Sequence, residues 1–188
     1  MACHYMDLPH WALGLRHPTS VTASGRVTYK GDNQMPDKMQ VDYDYPARDK
    51  QPAVHLTWYH GVEGPDLEGK VTHAGYPSGV IFEGERGSLI ANYGQHRFLV
   101  QPRDYERPRQ TIAASVGHHR EWLQAIRTGG TTTCNFDYSG ALAETVLLGN
   151  VAYRAGGKLT YDGRTGRVTG NANAERYLRR EYRKGWTL

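Results

Sequence analysis

The chain has 188 residues, a length that favours one domain with a sizeable hydrophobic core. Its 23 basic and 19 acidic residues leave a formal charge of +4, carried by the C-terminal RYLRREYRKGW, and no basic stripe elsewhere indicates a nucleic-acid partner. Two isolated cysteines, Cys3 and Cys134, argue against a disulfide framework, and no apolar run approaches the roughly 20 residues of a membrane span.

The first third of the chain begins with a helical pattern. Residues 2–15 place apolar side chains at helical spacing around Pro9, which predicts an amphipathic helix with a bend. The segment from His17 to Thr19 ends this helix, and the extended segment TSVTASG follows. Residues 30–38 are polar and predict an exposed loop.

The middle third changes to the two-residue period of strands. Val41, Tyr43 and Tyr45 point one way and the intervening polar side chains the other, which indicates an antiparallel sheet with one covered face. The alternating segments are MQVDYDY, AVHLTWYH, SGVIFEG, GSLIANYG and HRFLVQP. Residues 85–87 predict a hairpin turn, and residues 61–78 predict a long loop rich in glycine and proline.

The last third is mainly helical. VGHHREWLQAIRTGG predicts a helix with an apolar stripe, and a longer helix is predicted from Tyr138 to Ala155. A two-strand segment, KLTYDGRTGRVTG, and a short basic helix in ANAERYLRREYRKGW follow. Strands grouped together predict an α+β fold with an open, mainly antiparallel sheet and helices on one face, as one domain over residues 1–188.

Two kinds of enzyme motif are absent from the sequence. No G-x-G-x-x-G turn follows a strand pattern, so the chain shows no dinucleotide or phosphate cradle. No Gly-x-Ser-x-Gly elbow is present, which argues against a serine hydrolase of that type.

His4 and Asp7 form the first candidate site. They lie three residues apart on the first predicted helix, so their side chains project from nearly the same face. A carboxylate beside an imidazole sets its tautomer and raises its basicity, which suits a general base near neutral pH. A cap or packing role for His4 is the alternative interpretation.

The other polar candidates have simpler interpretations. His118 and His119 next to Glu121 suggest a metal site, but adjacent helical residues point about 100° apart, so we expect one imidazole in the core and one in water. Glu144 is expected to satisfy a buried neighbour. The alternating aromatic residues, such as Tyr43, are expected in the core or at an interface.

Four blocks of the sequence resemble one enzyme family. CHYMDLPHWAL, SVGHHREWLQAI, CNFDYSGALAETVLLGNVAYRAG and REYRKGW look like the C-terminal part of Gfo/Idh/MocA-type oxidoreductases, which include glucose–fructose oxidoreductase and inositol dehydrogenase. The blocks occur in family order and span essentially the whole chain. The bacterial-type C-terminal domain is the most similar.

The resemblance implies a role for this chain in a two-domain enzyme. Family members bind NAD or NADP in an N-terminal Rossmann domain, and their C-terminal α+β domain shapes a pocket for sugars or cyclitols and commonly forms the oligomer interface. Here His4 matches the catalytic histidine of the family's Asp-x-x-x-His motif and Asp7 its trailing acid. The leading aspartate would fall one position before Met1, and the Rossmann glycines are absent from the sequence.

Two functions remain open at this point. The first is the substrate-binding and oligomerisation domain of an NAD(P)-dependent sugar or cyclitol oxidoreductase, inactive without its Rossmann domain and holding no cofactor itself. The second is a non-enzymatic module that associates through its sheet, with a second copy or with a Rossmann domain supplied in trans. We expect a cytoplasmic protein without a membrane partner, and an export signal upstream of Met1 stays an open alternative.

Overall fold

The computed structural model describes residues 1–61 and 78–186. The chain divides into a first unit, residues 1–65 with 141–188, and a second unit, residues 66–140. In chain order the elements are α1 (Ala2–Leu13), β1 (Ser20–Arg26), β2 (Lys38–Tyr45), β3 (Val54–His60), β4 (Val80–Gly84), β5 (Gly87–Ala91), β6 (His96–Val100), α2 (His118–Thr128), α3 (Phe136–Ala155), β7 (Leu159–Asp162), β8 (Arg167–Thr169) and α4 (Glu175–Leu178).

A five-stranded sheet organises the first unit. Its strand order is β3-β2-β1-β7-β8, and each neighbouring pair is antiparallel. Tyr43 pairs with Val21 of β1 and with Leu56 of β3, so the apolar residues of these strands share one face. The strict alternation of β2 is confirmed, because its buried residues lie on this inner face and its aspartates on the outer one.

Helices α1 and α3 supply the cover for the inner face. The core cluster contains residues from α1, β1, β2, α3 and β7, with further partly buried residues from β3 packed against it. Gly149 of α3 lies so close to β2 that a Cβ on it would come within 2.6 Å of the Tyr43 hydroxyl. This close approach places the polar residues of the α3 surface next to the end of α1.

The second unit contains the three-stranded antiparallel sheet β4-β5-β6 and α2. The predicted hairpin at residues 85–87 is confirmed, since Gly84 pairs with Gly87 across it. The Asn92 side chain accepts hydrogen bonds from the backbone N–H groups of Gly94 and Gln95 and so shapes the next turn. The loop predicted at residues 61–78 lies mostly outside the described residues.

The mixed α+β character and the antiparallel sheets are as predicted. Two predicted helices are present, with bounds that differ from those expected. The C-terminal basic helix is only the four residues of α4, because the arginine-rich sequence that follows has no apolar stripe to bury. The longer helix starts at Phe136, two residues before its predicted start, and the Asn135 side chain caps it by accepting a hydrogen bond from the Tyr138 N–H.

Among the described helices, none is long and apolar enough to cross a membrane.

Candidate functional site

Helix α1 presents both residues of the first candidate site to solvent. His4 and Asp7 are exposed, while Met6 and His10 on the other side of the helix are buried. Their spacing of three residues places them on the same exposed side, as predicted. Arg48 donates a hydrogen bond to the Leu13 carbonyl at 3.0 Å and so secures the C-terminal end of α1.

His10 anchors the buried side of α1. Its Nε2 lies 2.8 Å from the Tyr45 hydroxyl of β2, and the two rings meet edge to face. Burial lowers the pKa of His10 to about 4, because the charged ring would lose its hydration, and the nearby Asp7 carboxylate offsets only part of this effect. His10 is therefore neutral near pH 7 and holds the helix that carries His4 and Asp7.

A second polar group lies where α1 leads into β1. His17 Nδ1 is 2.8 Å from Oε1 of Glu144, and both side chains are about one third exposed. Burial, and secondarily the neighbouring Glu144 carboxylate, raise the pKa of Tyr161, a buried residue of β7, so its hydroxyl stays protonated. Glu144 therefore pairs with a polar neighbour, although that neighbour, His17, is one third exposed and not buried as predicted.

Thr145 fixes the backbone beside this group. The side chain is completely buried, and its Oγ1 lies 3.1 Å from the Arg16 carbonyl oxygen and 3.0 Å from that of Ala141. The segment that carries His17 is therefore bound to α3 through both its backbone and its imidazole. The result is a histidine–carboxylate pair on a rigid support.

The outer face of the five-stranded sheet is polar. Asp44 accepts hydrogen bonds from Ser20 Oγ at 2.6 Å and from His55 Nδ1 at 2.8 Å, and these bonds lower the pKa of Asp44. Asp42 accepts from Thr57 Oγ1 at 2.7 Å. The prediction that the alternating aromatic residues lie in the core or at an interface is confirmed for Tyr43 and Tyr45, which are buried on the inner face.

The histidine pair of α2 does not form a site of the expected kind. His118 and His119 are both exposed, with ring centroids 4.0 Å apart, so the expectation of one core-facing imidazole was wrong. The Glu121 side chain instead accepts hydrogen bonds from the backbone N–H and hydroxyl of Thr133. Within residues 1–61 and 78–186, no group of three or more possible ligand side chains is placed to hold a metal ion.

The described residues do not fit a dinucleotide cofactor. Such cofactors place their pyrophosphate at the N-terminus of a helix that follows a parallel strand. Every strand pair in the described ranges is antiparallel, and no described helix follows a parallel strand. The described ranges therefore contain no strand-to-helix turn of this type.

The sequence patterns did not identify the His17 and His10 contacts. His10 to Tyr45 spans 35 residues and His17 to Glu144 spans 127 residues, so neither pair lies within one helix or hairpin. The most relevant sequence pattern is the alternation of apolar and polar residues in β2. It predicts that Tyr45 points inward, but it does not show which residue Tyr45 contacts. Comparison of the sequence with family models and with curated proteins yields no match.

Proposed function

We propose that this chain is the substrate-binding and oligomerisation domain of an NAD(P)-dependent oxidoreductase that acts on sugars or cyclitols. The observation that carries the proposal is the presentation of His4 and Asp7, both exposed, on a helix whose opposite side is fixed by the buried His10. The order of the four sequence blocks that resemble the Gfo/Idh/MocA family gives the reaction class.

In this proposal His4 exchanges the proton of the reacting hydroxyl group, and Asp7 supports the protonated imidazole. A positioned histidine of this kind contributes about 10²–10⁴-fold to a rate. In this proposal a separate Rossmann domain holds the cofactor, so the 188 residues alone are inactive.

A titration tests the cofactor part of the proposal. We expect neither NAD nor NADP to bind the isolated chain saturably in calorimetry. A dissociation constant in the micromolar range would overturn this assignment of the cofactor to another domain.

A reconstituted assay tests the catalytic part. The chain is mixed with a separately produced Rossmann domain of the Gfo/Idh/MocA type, and reduction of NAD or NADP is followed with a panel of sugars and cyclitols. We expect His4→Ala to lower kcat/KM by about 10²-fold or more. His118→Ala is the matched control, because it also removes an exposed histidine from the first turn of a helix. Equal activity of the two variants would contradict the role of His4.

A second candidate is a non-enzymatic module that associates through its sheet. The observation that favours it is the outer face of the five-stranded sheet, where Thr22 of the middle strand is exposed. The two candidates share this surface and differ in catalysis. A chain that forms oligomers but gives no oxidation in the reconstituted assay would favour the module.

A further inference from the structure

The His17 ring is fixed from several directions. Its Nδ1 lies 2.8 Å from the Glu144 carboxylate. A carboxylate only accepts hydrogen bonds, so the His17 Nδ1–H is the donor. In the neutral form of the ring, this contact leaves the lone pair on Nε2.

Gly163 covers one side of this ring. A Cβ built on Gly163 would overlap the Cβ and Cγ atoms of His17, so the glycine backbone lies directly against the side chain. The His17 side chain is nevertheless about one third exposed.

Nε2 of His17 differs from the corresponding atoms of the other paired histidines. His55 also bonds a carboxylate, but its Nε2 is 3.3 Å from Thr57 Oγ1 and 3.4 Å from Asp42 Oδ1. Nε2 of His10 is used by Tyr45 inside the core. Nε2 of His17 has no hydrogen-bond partner among the described residues. In the neutral ring it is therefore an acceptor whose direction is set by the contact of Nδ1 with Glu144.

We propose that His17, positioned by Glu144, is a binding site whose Nε2 accepts a hydrogen bond from a hydroxyl group of a neutral polyhydroxylated ligand. A hydroxyl is the simplest group that donates one hydrogen bond to a neutral imidazole. A neutral ligand fits better than an anion, because the negative charge of Glu144 lies directly behind the ring. The choice of a polyol rests on the proposed function, whereas the site itself rests on the geometry of His17 and Glu144.

The test uses the full chain with isotopically labelled histidine. Ring C–H and N resonances are assigned by NMR and followed during titration with myo-inositol and, separately, with glucose. We expect a saturable shift at His17 with either ligand, with a dissociation constant of about 1–10 mM. His55 is the matched control, since it is also bonded to a carboxylate, and its resonances should stay unchanged. No saturable shift at His17 with both ligands would overturn the inference.

Two variants separate ligand binding from a purely structural role. Glu144→Gln keeps the size of the side chain but allows either tautomer, so we expect about tenfold weaker binding and altered His17 nitrogen shifts. Gly163→Ala keeps all charges but displaces the ring, and it should also weaken binding. If Glu144→Gln lowers the thermal stability and leaves the affinity unchanged, His17 has only a structural role and the inference fails.

The outcome is independent of the reconstituted assay. A shift at His17 without any oxidation activity in trans would uphold this site and contradict the proposed enzyme. Oxidation that depends on His4, with ligand-induced shifts at His4 and none at His17, would uphold the enzyme and overturn this site.

Discussion

Three histidines of the first unit have different roles, because they differ in burial and in hydrogen-bond partner. His10, His17 and His55 each bond an oxygen atom, but they differ in exposure and therefore in chemistry. The buried His10 is neutral and structural, whereas His17 is about one third exposed and pairs with a carboxylate. The chemical role of each histidine therefore depends on the surroundings of its second ring nitrogen. Residue type alone does not reveal those surroundings.

The buried His10 should make the stability of the protein depend on pH. Its pKa is about 4 in the folded chain and 6.5 in the unfolded chain, so the unfolded state binds more protons between these values. The contribution of His10 to the free energy of unfolding is therefore complete above pH 6.5 and decreases as the pH falls towards 4. The loss attributable to His10 is about 3 kcal/mol, since each pKa unit corresponds to about 1.36 kcal/mol.

Urea unfolding of the wild type and of His10→Gln across this pH range measures the effect. Gln keeps a polar group for Tyr45 but does not titrate, so the variant should lose less stability on acidification. Aspartates with lowered pKa values, such as Asp44, act in the same direction in both proteins and cancel in the comparison. Identical pH profiles for the two proteins would contradict the role of His10.

At the scale of elements, the close packing of α3 on β2 limits the size of the side chains that fit between this helix and the sheet. Gly149 is buried in the middle of α3, although glycine weakens a helix by roughly 0.5–1 kcal/mol relative to alanine. Its place is explained by packing, because the Tyr43 hydroxyl and the Val41 methyl groups occupy the space that a Cβ would need. The same contact brings Thr145 and Glu144 close to the end of α1.

Adding one methyl group at this contact should destabilise the protein. We expect Gly149→Ala to lower the free energy of unfolding by about 1–3 kcal/mol, as overpacking of a core does. Gly140→Ala in the same helix has open space around it and should be neutral or stabilising. The double variant Tyr43→Phe with Gly149→Ala removes the nearest atom, so the two changes together should cost less than their sum. If the losses of unfolding free energy of the two single variants simply add up in the double variant, in thermal or urea unfolding, this explanation is contradicted.

At the scale of the whole molecule, the five-stranded sheet has one face covered by helices and one polar face. The polar face carries hydroxyl, amide and charged side chains, including Thr22, Gln40 and Asp42. Self-association through it would use hydrogen bonds and paired charges more than apolar burial. A two-fold symmetric contact would bring the middle of the face against its own copy.

A bulky charge at the middle of this face should prevent such self-association. We expect light scattering of the wild type to give a mass above the 21.1 kDa of one chain at concentrations on the order of 10 μM. Thr22→Arg should shift the mass to that of one chain, because symmetry places two copies of the charge in one contact. Thr131→Arg, an exposed threonine of the second unit, is the control and should leave the mass unchanged. A wild type that is strictly monomeric would rule out the sheet-mediated contact.

Local sequence patterns were enough to identify most elements and the inner face of the sheet. The alternation in residues 40–45 reports the burial of Tyr43 because successive strand residues point to opposite sides. The spacing of His4 and Asp7 places both on one side of α1 for a similarly local reason. The apolar stripe of α2 shows the limit, since Trp122 and Ile126 stay exposed in a helix where burial was the simplest expectation.

Only the tertiary structure decided which polar groups meet. His17 and Glu144 lie 127 residues apart, and they meet because α3 packs on the sheet beside the end of α1. The opening stretch MACHYMDLPHWALGL contains His10 as plainly as His4, yet only the packing of Tyr45 shows that His10 is the buried anchor. Secondary structure depends on neighbours within a few residues, whereas a pair of distant side chains depends on how every intervening element packs.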